Sequence, residues 1–507
     1  MNASHANSSN QEARIATLQC ELALANLRIQ VLEEQLRQQR IKLLGPRSET
    51  LSNLQLELLL EEPGVTGSEV DAEAGREPMA PPQPPRQRKP HPGRQRLPDN
   101  LPRVEVTIPC PPEACQCPGC GGEMAVIGHD ESEVLDKEPV KFFVRVTRRE
   151  KRACRQCEQA TVVAAPLPDR IIEKGLAADR IVIDVLVGKY SDHLPLYRQA
   201  EILEREAGLE LSRATLDGWM MTVGETLQPV AAAIRKDLLA ASYLQADETT
   251  VPVQMHDQRG SHHTAYLWQY GRVGGETVFD FQMSRERAGP LKFLGQWEGK
   301  LQTDAYVAYE KVGGPKLIHF GCWAHARRKF VDTVKVNPQD AEAIAMVCRM
   351  DALFRVDSEA LRLGLSQDER QALRVEHSHA FVREIHEACL RLALTALPQS
   401  MLGKAVAYTL NNWDKLKRCL DDPEVELSNN LAENSMRPIA LGRKNWLHVG
   451  SEKSGPKVAA ILSVVESCRR LGLPVKEYLG DVLPGLARRT LSQVARLTPA
   501  RWAASRG

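Results

Sequence analysis

The 507-residue sequence lacks any run approaching the ~20 uninterrupted apolar residues that a membrane span requires. Its polar start, MNASHANSSNQ, lacks the apolar stretch of a secretory leader. Bulk charge is missing too: 66 Lys and Arg face 65 Asp and Glu, a formal net charge of +1, so overall charge names no partner. The 12 cysteines lack an extracellular context, and their clustering in CxxC pairs points to a reducing compartment and to metal. No Ser/His/Asp pattern for covalent catalysis is visible. These absences predict a soluble cytoplasmic protein with no membrane partner, holding roughly three domains by size.

What is present changes along the chain. An a/d stripe, Ile15, Leu18, Leu22, Ala25, Ile29, Leu32 and Leu36, ends at Gly45-Pro46. A second apolar helix, Leu51 to Leu60, completes a segment 11–60 that predicts a coiled coil and a homo-oligomer. The alternative is an amphipathic helix packed on its own domain. Residues 61–103 are rich in Pro and basic residues and read as a linker. Within 104–165, Cys117-Pro-Gly-Cys120 and Cys154-Arg-Gln-Cys157 form two knuckles. Four thiolates around one tetrahedral ion leave no open position, so the pattern predicts one structural Zn2+. Between them Phe143-Val144-Arg145-Val146-Thr147 alternates like a small β ribbon. Residues 170–225 read as helices at 177–190, 197–207 and 213–223, the last capped by Ser212 after a turn at Gly208. That is a helix-turn-helix pattern, with Arg213 and Thr215 as candidate DNA contacts.

From Tyr243 the pattern turns to strands at 243–253, 264–270 and 277–283. A helix near 289–297, a strand at 301–303 ending in Asp304, and a strand at 317–320 follow. This is a ribonuclease H-like order, in which the first and fourth strands lie side by side, so Asp247 and Asp304 would face each other. A third acid, Glu433, opens a helix after a mostly helical stretch at about 335–420. Asn430-x-x-Glu433 also fits a capping box, and both readings stay open at this point. His325, Arg327 and Arg328 near the fifth strand's end suit a DNA phosphate, against a buried structural His and a surface basic turn. Cys322-x-x-His325 alone is too weak a pattern for a second zinc. Arg437, Arg443 and Lys444 follow Glu433 and would line a DNA channel. The tail, 451–507, reads as amphipathic helix packing on the core.

ADET at 246–249, LQTDAYVAY at 301–309, CWAHARRKF at 322–330, SNNLAEN around 433 and LGRKNWLHVGS at 441–451 together resemble the insertion sequence 66 family of transposases. The resemblance extends to the CxxC pairs, to KYSDHLPLYRQ at 189–199 and to the N-terminal zipper. It implies a multidomain α+β protein with coiled coil, four-Cys zinc module and helix-turn-helix region. An α/β DDE core of ribonuclease H type follows at 240–450, with a helical insertion and a helical C-terminal tail. The resemblance further implies Asp247, Asp304 and Glu433 as acids holding two Mg2+ (or Mn2+) ions. Double-stranded DNA as partner, nucleoid association and accessory proteins of the same element are implied as well. Two departures are visible: Pro46 stands where a basic residue is expected, and Ala305 where Gly is usual. Two rival readings are a non-catalytic DNA-binding derivative and a ribonuclease H-like nuclease. The first has no use for three acids; the second leaves the DNA-reading segments idle.

Overall fold

The computed structural model describes residues 142–147, 151–152, 163–164, 168–173, 175–255, 262–446 and 448–506. The coiled coil, the linker and Cys117, Cys120, Cys154 and Cys157 lie outside the described residues. Residues 142–147 belong to a compact unit of their own, 80–148, and are exposed without regular structure. The ribbon expected at Phe143–Thr147 is therefore not a strand: alternation does not make one without a ladder partner, and none pairs with it among the described residues. In the other unit β1 (Lys151–Arg152) pairs antiparallel with β2 (Val163–Ala164).

Three helices follow, α1 (Asp179–Tyr190), α2 (Leu196–Ala207) and α3 (Arg213–Leu238). Gly208 ends α2 at φ 63°, and Ser212 Oγ caps α3 by accepting the Thr215 N–H at 3.1 Å. The expected turn is there, but α3 runs on past Val223 and past the boundary drawn at 225. Pro229 inside it forfeits a helical hydrogen bond, at a cost of ~3 kcal/mol. Burial of Leu227, Val230, Ile234 and Leu238 at helical spacing outweighs that loss.

The main sheet comprises β3 (Tyr243–Gln254), β4 (His262–Gly271), β5 (Thr277–Gln282), β6 (Lys300–Gln302) and β7 (Ile318–Phe320), with α4 (Ala288–Leu294) before β6. Its order is β5-β4-β3-β6-β7; β6 runs parallel to β3 and β7 to β6, while β4 is antiparallel to both its neighbours. The expected neighbours, first and fourth strands of this sheet, are side by side.

The remaining chain is helical: α5 (Trp323–Val336), α6 (Ala341–Arg362), α7 (Gln367–Leu373), α8 (His379–Thr395), α9 (Met401–Asn411), α10 (Trp413–Asp421), α11 (Asn430–Asn445), α12 (Gly455–Arg470), α13 (Val475–Val482), α14 (Leu491–Val494) and α15 (Pro499–Ala504). One apolar cluster runs through α1–α3, the sheet, α12 and α13. The helix-turn-helix region, the core and the tail thus share one interior. Gly224 of α3 allows α12 to cross closely, since a Cβ there would lie 2.8 Å from the Lys457 carbonyl oxygen. The exposed edge of β5 is covered by α12, whose Ser463 and Ser467 hydroxyls accept the Phe279 and Thr277 N–H groups at 2.9 and 3.0 Å. A second cluster, around Trp323, Phe330, Met350 and Ile385, is built by α5, α6 and α8–α10, where the helical insertion was expected. Among the described residues no helix is long and apolar enough to cross a membrane.

A buried ionic knot ties this insertion to the segment leading into α11. Asp357 accepts from Arg370 at 2.5 Å and from Arg374 at 2.7 Å, and Arg370 also holds Glu426 at 2.6 Å. Arg374, 1% exposed, donates to the carbonyls of Cys419, Asp422 and Val425. Burial disfavours the Asp357 carboxylate, but the two guanidiniums outweigh it and hold its pKa below the ordinary value. Asp357→Ala leaves the buried Arg374 without a counter-charge and Arg370 with Glu426 alone, and should cost about 3–5 kcal/mol, read as a lower urea midpoint. Because the folded pKa is depressed, wild type holds its full advantage above the unfolded carboxylate pKa and loses it as pH falls through the folded value. The gap between the two proteins should therefore close on acidification.

Candidate active site

Parallel pairing sets Gln245 of β3 level with Gln302 of β6. Two positions on, the strand period returns Asp247 to the face of Gln245, and Asp304 stands two residues past Gln302. Beyond Gln245, β3 next meets chain on that side where Val253 bridges Val449, and Asp247 lies in the gap with α11 packed along it. Asp304 begins a tight turn: its Oδ1 accepts the Tyr306 N–H at 2.9 Å, and Ala305 takes φ 70°. That left-handed conformation is easiest for Gly, and Ala is strained there by roughly 1 kcal/mol. Tyr408 Oη donates to the Asp304 carbonyl at 2.7 Å, and Lys329 Nζ lies 4.8 Å from the centre of the Tyr408 ring.

Helix α11 has Asn429 as its N-cap, and no side chain caps it. The capping-box reading of Asn430-x-x-Glu433 is corrected accordingly. The Glu433 carboxylate instead accepts from Arg328 Nη2 at 3.0 and 3.3 Å, with His325 Nε2 3.3 Å from Oε1. Burial lowers the His325 pKa against the opposing pull of Glu433 and Asp304, which favours the neutral ring.

The Asp247 carboxyl is pushed up to about 8, first by burial, then by the charges of Glu248 and Asp304, with Glu433 adding to them. Against these stands the Glu248 N–H, which Asp247 Oδ1 accepts at 2.9 Å. Glu248 points to the opposite face, its side chain 2% exposed; burial raises its carboxyl pKa, opposed by the Arg285 guanidinium at 2.6 Å and the Tyr309 hydroxyl, which donates to it at 2.9 Å. Arg285 in turn stacks 3.8 Å from the Tyr306 ring centre. Sequence reasoning missed Glu248, Arg285 and Tyr309. The available signal was a second acid in a buried strand, which demands a partner.

Among the described residues no three or more His, Cys, Asp or Glu side chains stand close enough to hold a metal ion as they are. The donor chemistry nevertheless fits a hard divalent cation. Asp247 feels the negative charge of both Asp304 and Glu433 and is short of positive charge. Cys322 is buried, its thiol pushed up to about 12 by that burial, which does not suit a thiolate ligand.

The other expected residues are dispersed. Arg327 is tied to Asp351 at 2.5 Å, and Arg443 donates to Thr250 O and Oγ1 at 2.6 Å each, so neither guanidinium is free. Arg437 and Lys444 are exposed on α11. Arg213 and Thr215 are exposed at the start of α3, with Thr215 Oγ1 2.9 Å from Ser212 Oγ.

The family model described as "Transposase IS66 family" matches residues 174–457, which include Asp247, Asp304 and Glu433. A second, "zinc-finger binding domain of transposase IS66", matches 114–158 and spans Cys117, Cys120, Cys154 and Cys157. A third, "Transposase C of IS166 homeodomain", matches 31–106, overlapping the zipper and the Pro-rich segment. Relatives occur in Sinorhizobium fredii. The uncharacterized protein y4jD is 33% identical over 426 residues, 80% of this chain and 82% of that protein. The uncharacterized protein y4hP is 31% identical over 503 residues, 94% of this chain and 89% of its own. With a zinc-binding domain and an N-terminal family segment ahead of the long match, the chain belongs to the IS66 family of transposases.

Proposed function

We propose that this protein binds the ends of an insertion sequence as double-stranded DNA and catalyses metal-dependent strand cleavage and strand transfer. The core, 240–450, is read as ribonuclease H-like and of DDE type. Its main support is the parallel β3–β6 register, which places Asp247 and Asp304 each two residues beyond the paired Gln245 and Gln302, with the charges of Asp304 and Glu433 both acting on Asp247. Two Mg2+ or Mn2+ ions would supply an activated water or 3′-hydroxyl and neutralise charge at the leaving oxygen. Asp247, Asp304 and Glu433 would hold those ions, Asp247 being the acid that feels the charge of both others.

Glu248, braced by Arg285 and Tyr309, stiffens β3 behind Asp247. Arg328, Lys329, Arg437 and Lys444 offer positive charge to the DNA backbone, and Arg213 and Thr215 read an end sequence from α3. Arg327 and Arg443 act indirectly, fixing α5 on α6 and α11 on β3. The four-Cys module at 104–165 holds one structural zinc, and the coiled coil at 11–60 joins copies of the chain. Accessory proteins of the same element complete the assembly.

Two experiments test this reading. On duplexes carrying the DNA that flanks the gene, wild type should yield cleaved and joined strands with Mg2+ and none with EDTA. Asp304→Asn should bind the same duplexes and give no product. Binding by both proteins with cleavage by neither would favour the non-catalytic DNA-binding alternative. Separately, elemental mass spectrometry should find about one zinc per purified chain, absent from Cys154→Ser; equal zinc in both would sink the four-Cys site.

A further inference from the structure

Of the three acids, Glu433 alone has an ion pair among the described residues. Beside His325 Nε2, 3.3 Å away, its charged partner is Arg328, whose Nη2 spans both carboxylate oxygens while the side chain stays 52% exposed. The guanidinium therefore touches the acid site on one side and open water on the other. Its helix is firmly seated: the Trp323 indole donates to the Leu416 carbonyl at 2.9 Å, the Trp323 N–H donates to Leu427 O at 2.9 Å, and Phe330 is buried. Arg328 is thus held at the entrance by a rigid base, with Lys329 beside it. An arginine fork suits phosphate as well as carboxylate, and a half-exposed pair is readily exchanged.

We propose that Arg328 is a substrate-operated latch. Without DNA it holds Glu433 away from Asp247 and Asp304; a DNA phosphate takes over the guanidinium and frees Glu433 to complete the metal site. The proposal rests on the reading of the three acids as metal ligands. Two observations carry it: the Arg328–Glu433 pair, and acids that share one field without forming a ready-made cluster among the described residues. Metal loading would then follow DNA binding, so the free protein would not cut at random.

The test reads Mn2+ binding to the DNA-free full chain, as free Mn2+ by electron paramagnetic resonance. Arg328→Gln should bind Mn2+ roughly fivefold tighter than wild type, the release expected of a half-exposed ion pair. Arg328→Gln combined with Glu433→Gln should lose that gain. Arg328→Lys keeps the charge without the fork; it should fall between, and it decides the matter if the Gln variant folds poorly. On a labelled duplex in EDTA, Arg328→Gln should bind more weakly, with a salt slope smaller by about one. Unchanged Mn2+ affinity overturns the latch while leaving the metal site intact, provided Asp247→Asn still abolishes binding. Tighter Mn2+ with an unchanged salt slope overturns the hand-over to phosphate. If Asp247→Asn binds Mn2+ like its parent, the metal-site reading fails, and the latch with it.

Discussion

Three buried polar side chains, Tyr243, Gln245 and Gln302, hold the two halves of the acid site together. Tyr243 Oη donates to Gln302 Oε1 at 2.5 Å, and Gln245 Nε2 donates to the same oxygen at 2.9 Å. The amides then reach across the chain: Gln245 Nε2 to Ser428 O at 3.0 Å, Gln302 Nε2 to Glu426 O at 2.6 Å and Gly321 O at 2.9 Å. Each bond is modest alone, near 1 kcal/mol, but an orphaned buried amide costs about 1–3 kcal/mol, so the group stands or falls together. It sits two residues before Asp247 and Asp304, where the segment carrying Glu433 crosses the sheet. The Lys300 ammonium repeats the grip at the strand's start, on Asp422 at 2.8 Å and Glu424 at 2.9 Å.

The far end of α11 is held as well. After the helix, Val449 joins β3: the Gln254 N–H donates to Val449 O at 2.9 Å and the Val449 N–H to Pro252 O at 2.8 Å. Arg443 adds its bonds to Thr250. A helix fixed at both ends along β3 leaves Glu433 only its side-chain torsions. In the proposed latch, exchange of partners at this acid is therefore a matter of its side-chain rotamer.

The parts of this arrangement that were legible in the sequence rest on local signals. An acid inside the apolar strand 243–253, a short strand ending at Asp304, and a Gly turn before Ser212 each carry their reason within a few residues. The parts that were not legible depend on chain segments far apart. Gln245 and Gln302 read as ordinary strand residues until Glu426 and Ser428 lie against them. Arg327 and Arg443 looked like free basic residues because Asp351 and Thr250, their partners, lie elsewhere in the chain. Local capping chemistry suggested a box at Asn430, but an arginine on another helix took the Glu433 carboxylate. Helix α3 outran its expected end because its second half is stabilised by packing that no window of local sequence contains.

Asp247 and Glu248 show what the fold does with charge. They are adjacent on one strand, face opposite ways, and are both largely withdrawn from water. Glu248 is matched by a guanidinium and a phenol, as a buried acid must be if stability alone is at stake. Asp247 receives one backbone N–H and the negative fields of three other carboxylates, and its carboxyl is pushed up to about 8. Pairing it with a nearby Lys or Arg would relieve that repulsion with a single substitution. A fold that gives one acid a guanidinium partner and leaves its neighbour without one keeps a standing demand for positive charge at one place. The proposed metal role gives that demand a reason, and in the proposed latch the Arg328–Glu433 pair would partly balance the same place until a cation and DNA arrive together.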